Sequence, residues 1–360
     1  MQNFASVKLP FYAKLALVLM SLALILFFLR EGATIIIPLV FSILLSLLLL
    51  PLAQWLQRKG LNKPLAAIIP LILFVGVLVL LFFFLGKQIA DFSQDFPLLS
   101  QKLTIWAWHT EKWIEQQFHI APTQQMNYIT NASNDLAKMA TNIVQHIVMT
   151  TGGLLIWTIF VFIFTFFMLT HRSLIKRFLL MVFKENYHDG VNEVLDETRW
   201  LVNGYILGLL IEMVIVAFLS SMAFLIFGIK YAIMLGIICG LLNVIPYIGI
   251  YTAMAIGSII TLTNNTPIHA LYLIIISIII HFIDANIILP RIVGGRVKMN
   301  PLITIIAVIC GSMLWGIAGM FLFIPIAAIL KIIFSKIPGM EAWALLMGAD
   351  ENEKKAILKK

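Results

Sequence analysis

The sequence predicts an all-α polytopic membrane protein with six full transmembrane helices and two re-entrant helical hairpins. Three observations predict it. First, 61% of the 360 residues are hydrophobic and only 12% are charged, about half the charged share of a soluble domain. A chain of this length still exposes much of its surface, so no soluble fold hides that much apolar side chain. A soluble enzyme, a nucleic-acid-binding protein and a disordered regulator are thereby excluded. Second, the apolar residues gather into eight hydrophobic segments at or near the length that crosses a bilayer. Third, the net charge of +8 is distributed among the loops, and an excess of Lys and Arg marks the cytoplasmic ones. The two cysteines cannot build a disulfide framework.

The first run, 11–29, follows Lys8 and Lys14 as a secretion signal would. LREGATI comes next in place of a small-residue cleavage site, so the run reads as an uncleaved helix. Runs 33–50 and 65–85 follow. The loop between them, 51–64, carries Arg58, Lys59 and Lys63 and no acid, which places it and the N-terminus in the cytoplasm. The polar stretch 87–146 is then outside. It holds Trp106, Trp108 and Trp113, a helical spacing of Ile129, Leu136, Met139, Ile143 and Ile147, and a break with an N-cap at Pro122–Thr123. A small extracytoplasmic helical domain is expected there. Run 147–169 returns to the cytoplasm at Arg172, Lys176 and Arg177, and 171–199 reads as an amphipathic connector. Run 201–227 exits near Gly228.

The loop 290–300 holds Arg291, Arg296 and Lys298 without an acid, so it is cytoplasmic and run 268–289 enters from outside. The segment 231–263 must then begin and end outside. Its roughly 33 residues measure about 50 Å as one helix, too long for one upright span and too short for two. A hairpin of two short helices fits, with its tip at Asn243–Gly249, where Pro246 breaks the helix and Gly249 permits a turn. The segment 301–331 poses the same problem. A hairpin entering from the cytoplasm, with Gly316 and Gly319 at its tip, leaves the basic tail inside. One long tilted helix in each place is the alternative, and it breaks the charge rule twice. The chain accordingly divides into helices 1–3 (1–86), the extracytoplasmic domain (87–146), helix 4 with its connector (147–200), a core of two helix–hairpin units (201–335) and a cytoplasmic tail (336–360).

The two units have opposite orientation, and inverted repeats with broken helices at mid-membrane recur in transporters. Ile238-Cys239-Gly240 and Ile309-Cys310-Gly311 hold similar places in the two hairpins, and Glu212 and Asp284 precede them by similar intervals. A carboxylate mid-span costs about 2.5–3.5 kcal/mol to insert, so Glu212 is either functional or a protonated group bonded to a neighbouring helix. His281 and Asp284 share a helix face and could exchange protons near neutral pH, or form a hydrated cap at the cytoplasmic end. Asn286 follows them. The Asn243 amide can bind a solute or satisfy the opened backbone. Candidate solute or ion contacts are therefore Glu212, Asn243, Pro246, Gly249, Asp284, Asn286, Gly316 and Gly319, with Glu212, His281 and Asp284 as candidate proton-coupling groups. Gly204 with Gly208, and Gly236 with Gly240, mark close helix packing. No phosphate-binding loop, HExxH, CxxC or GxSxG motif occurs, and the His residues lack metal-ligand spacing. An enzyme, a cofactor and a metal site are not expected.

Asn243-Val244-Ile245-Pro246-Tyr247-Ile248-Gly249 resembles the most specific segment of the autoinducer-2 exporter (AI-2E) family of bacterial membrane transporters. Asp284-Ala285-Asn286 leading to Pro290, Gly294, Asn300-Pro301-Leu302, Gly311, Gly316, Gly319, Pro325 and Gly208 are similar to further family positions. The resemblance runs from the first paired spans to residue 331, and the insertion 87–146 fits it. It implies export of small polar molecules across the bacterial inner membrane, sodium/proton antiport in some members, and homo-oligomers. The leading expectation is an ion-coupled secondary exporter whose partners are membrane lipid, a small polar solute and Na+ or H+. A Na+(Li+)/H+ antiporter without organic cargo and a non-transporting membrane scaffold remain as alternatives.

Overall fold

The protein is described from a computed structural model that covers residues 10–118, 156–246, 248–292 and 299–348. The elements in order are α1 (Phe11–Glu31), α2 (Ala33–Arg58), α3 (Lys63–Phe118), α4 (Ile156–Thr170), α5 (Arg172–Val182), a 3₁₀ turn (Glu185–Tyr187), α6 (His188–Ile226), α7 (Ala232–Asn243), α8 (Ile248–Asn264) and α9 (Pro267–Ile283). A π turn, Asp284–Ile288, leads into α10 (Leu289–Ile292), followed by α11 (Pro301–Lys336) and α12 (Glu341–Met347). Among the described residues six helices are long and apolar enough to cross a membrane, and α4 with α5 forms a further pair bent by 72°. Among the described residues the one β-type pairing is an isolated bridge between Met299 and Gly348.

The outward faces confirm the solvent read from composition. α1 has no buried residue, and Phe27, Phe28, Leu80 and Phe83 all point out of the bundle. Lipid is as apolar as leucine, so close packing rather than the hydrophobic effect must hold such helices together. Three packed clusters do so. One joins Leu44 of α2 to Val202 and Leu209 of α6 and to Leu322 and Ala328 of α11. A second collects Phe224, Leu235, Cys239, Ala253 and Leu273 from α6 to α9. The third packs Leu49 and Ala53 against Leu71 and Leu169.

α3 continues unbroken from Lys63 to Phe118, so the stretch after residue 87 starts as an extension of the third span. The Pro122–Thr123 break and the helix through Ile129–Ile147 lie outside the described residues, as do Gly294, Arg296, Lys298 and the end of the tail. The connector expected over 171–199 divides in two. α5 is its amphipathic part, and residues from His188 onward belong to α6.

Polar contacts mark the two ends of the bundle. At one end Arg172 donates to Gln57 (2.7 Å) and Arg199 to Gln54 (3.0 Å), while Lys336 pairs with Glu193 (2.6 Å) and Glu197 (3.1 Å). The charge rule assigns these positions to the cytoplasm. At the other end Lys230 Nζ meets Asp95 (2.7 Å), and Tyr231 OH donates to the same carboxylate (2.7 Å). The Lys230 hydrogen bond, then that of Tyr231, holds the Asp95 carboxyl below its ordinary range.

Both candidate hairpins fold back on themselves. Gly228 (φ 68°) and Tyr231 (φ 61°) turn the chain after α6, and α7 then runs against α6. Gly236 abuts Ser221, and Gly240 abuts Met213 and Ala217, so closely that a methyl group at either glycine would collide. The α7–α8 tip brings Gly249 against the Leu242 carbonyl, although seven residues of continuous helix would separate them by about 10 Å. At the base, the Lys230 amide donates to Asn265 Oδ1 (3.1 Å) and Lys230 Nζ to Asn264 Oδ1 (2.8 Å). Both ends of the pair therefore lie at one end of the bundle. In α11 the helix breaks at Trp315 (φ −131°) and Gly316 (φ 59°), and Gly311 and Gly319 meet backbone to backbone. Beside its start, the Asn300 backbone N–H donates to the carbonyl of Met347 at the end of α12 (2.9 Å).

The glycines divide their work differently from the sequence expectation. Of the three tip glycines, Gly316 alone has a positive φ (59°). Gly249 is not among the positive-φ residues, and like Gly319 it sits in a returning limb. Both serve close approach between limbs, where any side chain would wedge the backbones apart.

Candidate functional site

Three elements bring a polar cluster to the middle of the bundle. Glu212 lies midway along the apolar part of α6. α7 is 12 residues long, about 18 Å, which carries Asn243 to the same depth. The third contributor is the π turn after α9. Pro290 has no N–H to offer the Asn286 carbonyl, and the helix widens there, with the Leu289 amide closing on Asp284. Such π turns recur at functional sites.

The Asn243 side-chain amide donates to Glu212 Oε1 (3.1 Å) and to Asp284 Oδ2 (2.9 Å). One NH2 group thus spends both its hydrogens on two carboxylates from different helices. Glu212 is 4% exposed and Asp284 3%. Their remaining oxygens, Glu212 Oε2 and Asp284 Oδ1, and the nearby His281 Nδ1 are buried without a hydrogen-bond partner. No salt bridge to either acid occurs among the described residues. Buried carboxylates need a compensating charge, which here must come from a proton or a bound cation. While the acids are ionised, each unpaired carboxylate oxygen is an acceptor. The site therefore suits a cation or a solute that donates hydrogen bonds.

The other sequence candidates divide. Pro246 stands at the α7–α8 break and is half-buried, and Gly249 is buried just beyond it. Asn286 faces away from the cluster, exposed, with its amide on the Phe282 carbonyl (2.8 Å). Gly316 is exposed at the second tip, and Gly319 is buried in the returning limb. Val244, at the first tip, packs against the cluster that joins α2, α6 and α11.

Two residues escaped the sequence reading. Trp315 donates its indole N–H to the Leu29 carbonyl (2.9 Å), which ties the second tip to the end of α1. A lone Trp beside a glycine in an apolar run was the available signal, since a buried indole needs an acceptor. Tyr205 is buried two turns before Glu212 on the same face of α6. Among the described residues no three His, Cys, Asp or Glu are grouped so as to hold a metal ion.

Comparison with known proteins follows the same segments. A family model described as AI-2E family transporter matches residues 15–339. YrrI of Bacillus subtilis (strain 168), provisionally named a transport protein, is 28% identical over 83% of this chain and 85% of its own. PerM of Escherichia coli (strain K12), provisionally named a permease, is 25% identical over 84% and 87%. The AI-2 transport protein TqsA of the same strain is 24% identical over 93% and 95%.

Proposed function

The chain belongs to the AI-2E transporter family, and from that premise we propose that it is a secondary exporter of small polar molecules across the bacterial inner membrane, coupled to an ion at Glu212, Asn243 and Asp284. The observation that carries this reading is the single amide shared by two buried acids from different helices. Asn243 ends the first limb of a hairpin, so any shift of the tip changes the distance between the amide and both carboxylates. A proton or cation that neutralises the acids would thereby favour one hairpin position over another. His281, one turn from Asp284, is the third coupling candidate.

In this reading α7–α8 and the two limbs of α11 are re-entrant hairpins, entering from outside and from the cytoplasm respectively. The six full spans are α1, α2, the apolar part of α3, α4, α6 and α9. Glu212 and Asp284 hold matching places in an inverted repeat. Reach of both from one amide supports equal depth, and the base of α7–α8 closing on itself supports its entry and exit on the same side. The domain division by residue number stands with it, as do the cytoplasmic termini and a homo-oligomer.

A Na+(Li+)/H+ antiporter without organic cargo is the second reading, favoured by the acceptor-rich character of the cluster. Everted vesicles separate the two. Sodium or lithium added to energised vesicles is expected to dissipate the pH gradient if the protein is an antiporter. No response to either cation, with extrusion of an organic solute, supports the exporter. Absence of both activities in vesicles that hold folded protein would remove the transport reading.

A further inference from the structure

α5 departs from the bundle at an angle that its sequence explains. It is bent by 72° from α4, so in a membrane that α4 crosses it lies close to the membrane plane. None of its residues is buried. Leu174 (60%), Phe178 (62%), Met181 (79%) and Val182 (60%) are all widely exposed, and at about 100° per residue they share one arc of the helix. Lys176 and Arg177 fall outside that arc, both exposed, and α5 contains no acid. Arg172, at its start, is held on Gln57 of α2 (2.7 Å), which places α5 beside the exposed Arg58, Lys59 and Lys63. Of the acids that follow, Glu185 and Asp189 are exposed just beyond α5, and Glu193 and Glu197 of α6 are occupied by Lys336.

Water would not tolerate four large apolar side chains on one helix face, and a second copy placed there would bring like charges together. A headgroup layer accepts both features. The apolar arc enters the acyl boundary, and the cations meet lipid phosphates. We propose that α5 is an interfacial helix lying in the cytoplasmic leaflet, where Lys176 and Arg177 bind anionic phospholipid. Because α5 leads through the Glu185–Tyr187 turn directly into α6, this contact also fixes the height of the helix that bears Glu212. The proposal rests on the membrane topology and not on the identity of any cargo.

The test uses the full chain in nanodiscs of phosphatidylcholine alone or mixed with phosphatidylglycerol. In a Cys239→Ala, Cys310→Ser background, a spin label at Phe178→Cys is expected to be open to oxygen and shielded from a water-soluble nickel chelate. A label at Ser173→Cys should show the opposite. Native mass spectrometry should find phosphatidylglycerol retained over phosphatidylcholine. Lys176→Gln with Arg177→Gln should lower that preference roughly 30-fold, the equivalent of about 1 kcal/mol for each cation near an anionic surface. Free access of nickel to Phe178 would overturn the proposal, as would a lipid preference that the double variant leaves unchanged. Shielding of Phe178 that disappears with one copy per nanodisc would assign the face to a second copy, and would overturn it equally.

Discussion

Asn243→Leu is expected to lower transport in proteoliposomes by at least roughly 100-fold, with the protein still folded. Two hydrogen bonds to carboxylates depend on that one amide. Bonds to charged groups contribute about 1.5–3 kcal/mol each, and the lower end of their sum, about 3 kcal/mol, already corresponds to more than a 100-fold change in rate. Leucine fills similar volume, so the helix pair need not collapse, but both buried acids lose the side-chain donor they share. Asn243→Gln, which keeps the amide on a longer stem, should recover part of the activity. Initial transport rates, read beside circular dichroism and thermal unfolding of the same samples, check the expectation. A Leu variant with near-normal rates would show that the shared amide is structural filler.

Gly319→Val is the second large effect, and it falls on stability. The Gly319 backbone touches that of Gly311, so the atoms a side chain would meet are main-chain atoms that cannot swing aside. Overpacking a tight core typically costs about 1–3 kcal/mol, and here the two limbs of the hairpin must separate along their whole length. The thermal midpoint in detergent should fall well below that of the unsubstituted protein, and Gly319→Ala should already lower it, because even a methyl group meets the Gly311 backbone. Gly316 has open space around it, and its replacement meets only backbone strain, at φ 59° and ψ −138°, worth about 1–3 kcal/mol. An unchanged midpoint for Gly319→Val would mean that 311 and 319 are not in contact.

Much of this was legible because membrane chains obey two strong rules. Apolar run length sets the spans, and loop charge sets the sides. Arg58, Lys59, Lys63, Arg291 and the Lys-rich tail favoured a turn back in 231–263 and in 301–331 over one long tilted helix in each, and the breaks in the helices fall beside Pro246 and at Gly316. Glu212 and Asp284 stood out because an acid within a span is costly wherever it is. That Asn243 joins them was not legible. Sequence gave each residue a rough depth on its own helix, but rotation about the helix axis and the π turn before Pro290 decide which side chains meet. The same limit explains Asn286, two residues from Asp284, which the turn directs outward. It also explains Gly249 and Gly319, whose neighbours across the hairpin are carbonyl groups that carry no side-chain signature. The Trp315 contact to Leu29 spans nearly the whole chain and could come only from packing.

The claim that Glu212 and Asp284 form one site is tested most directly by a double-mutant cycle on transport rates in proteoliposomes, using Glu212→Gln, Asp284→Asn and both together. If one amide couples the two acids, each single variant should lose most of the activity. The double variant should then be little worse than the weaker single, because a site already broken has little left to lose. Losses that simply multiply, or a single variant with normal rate and pH dependence, would contradict it.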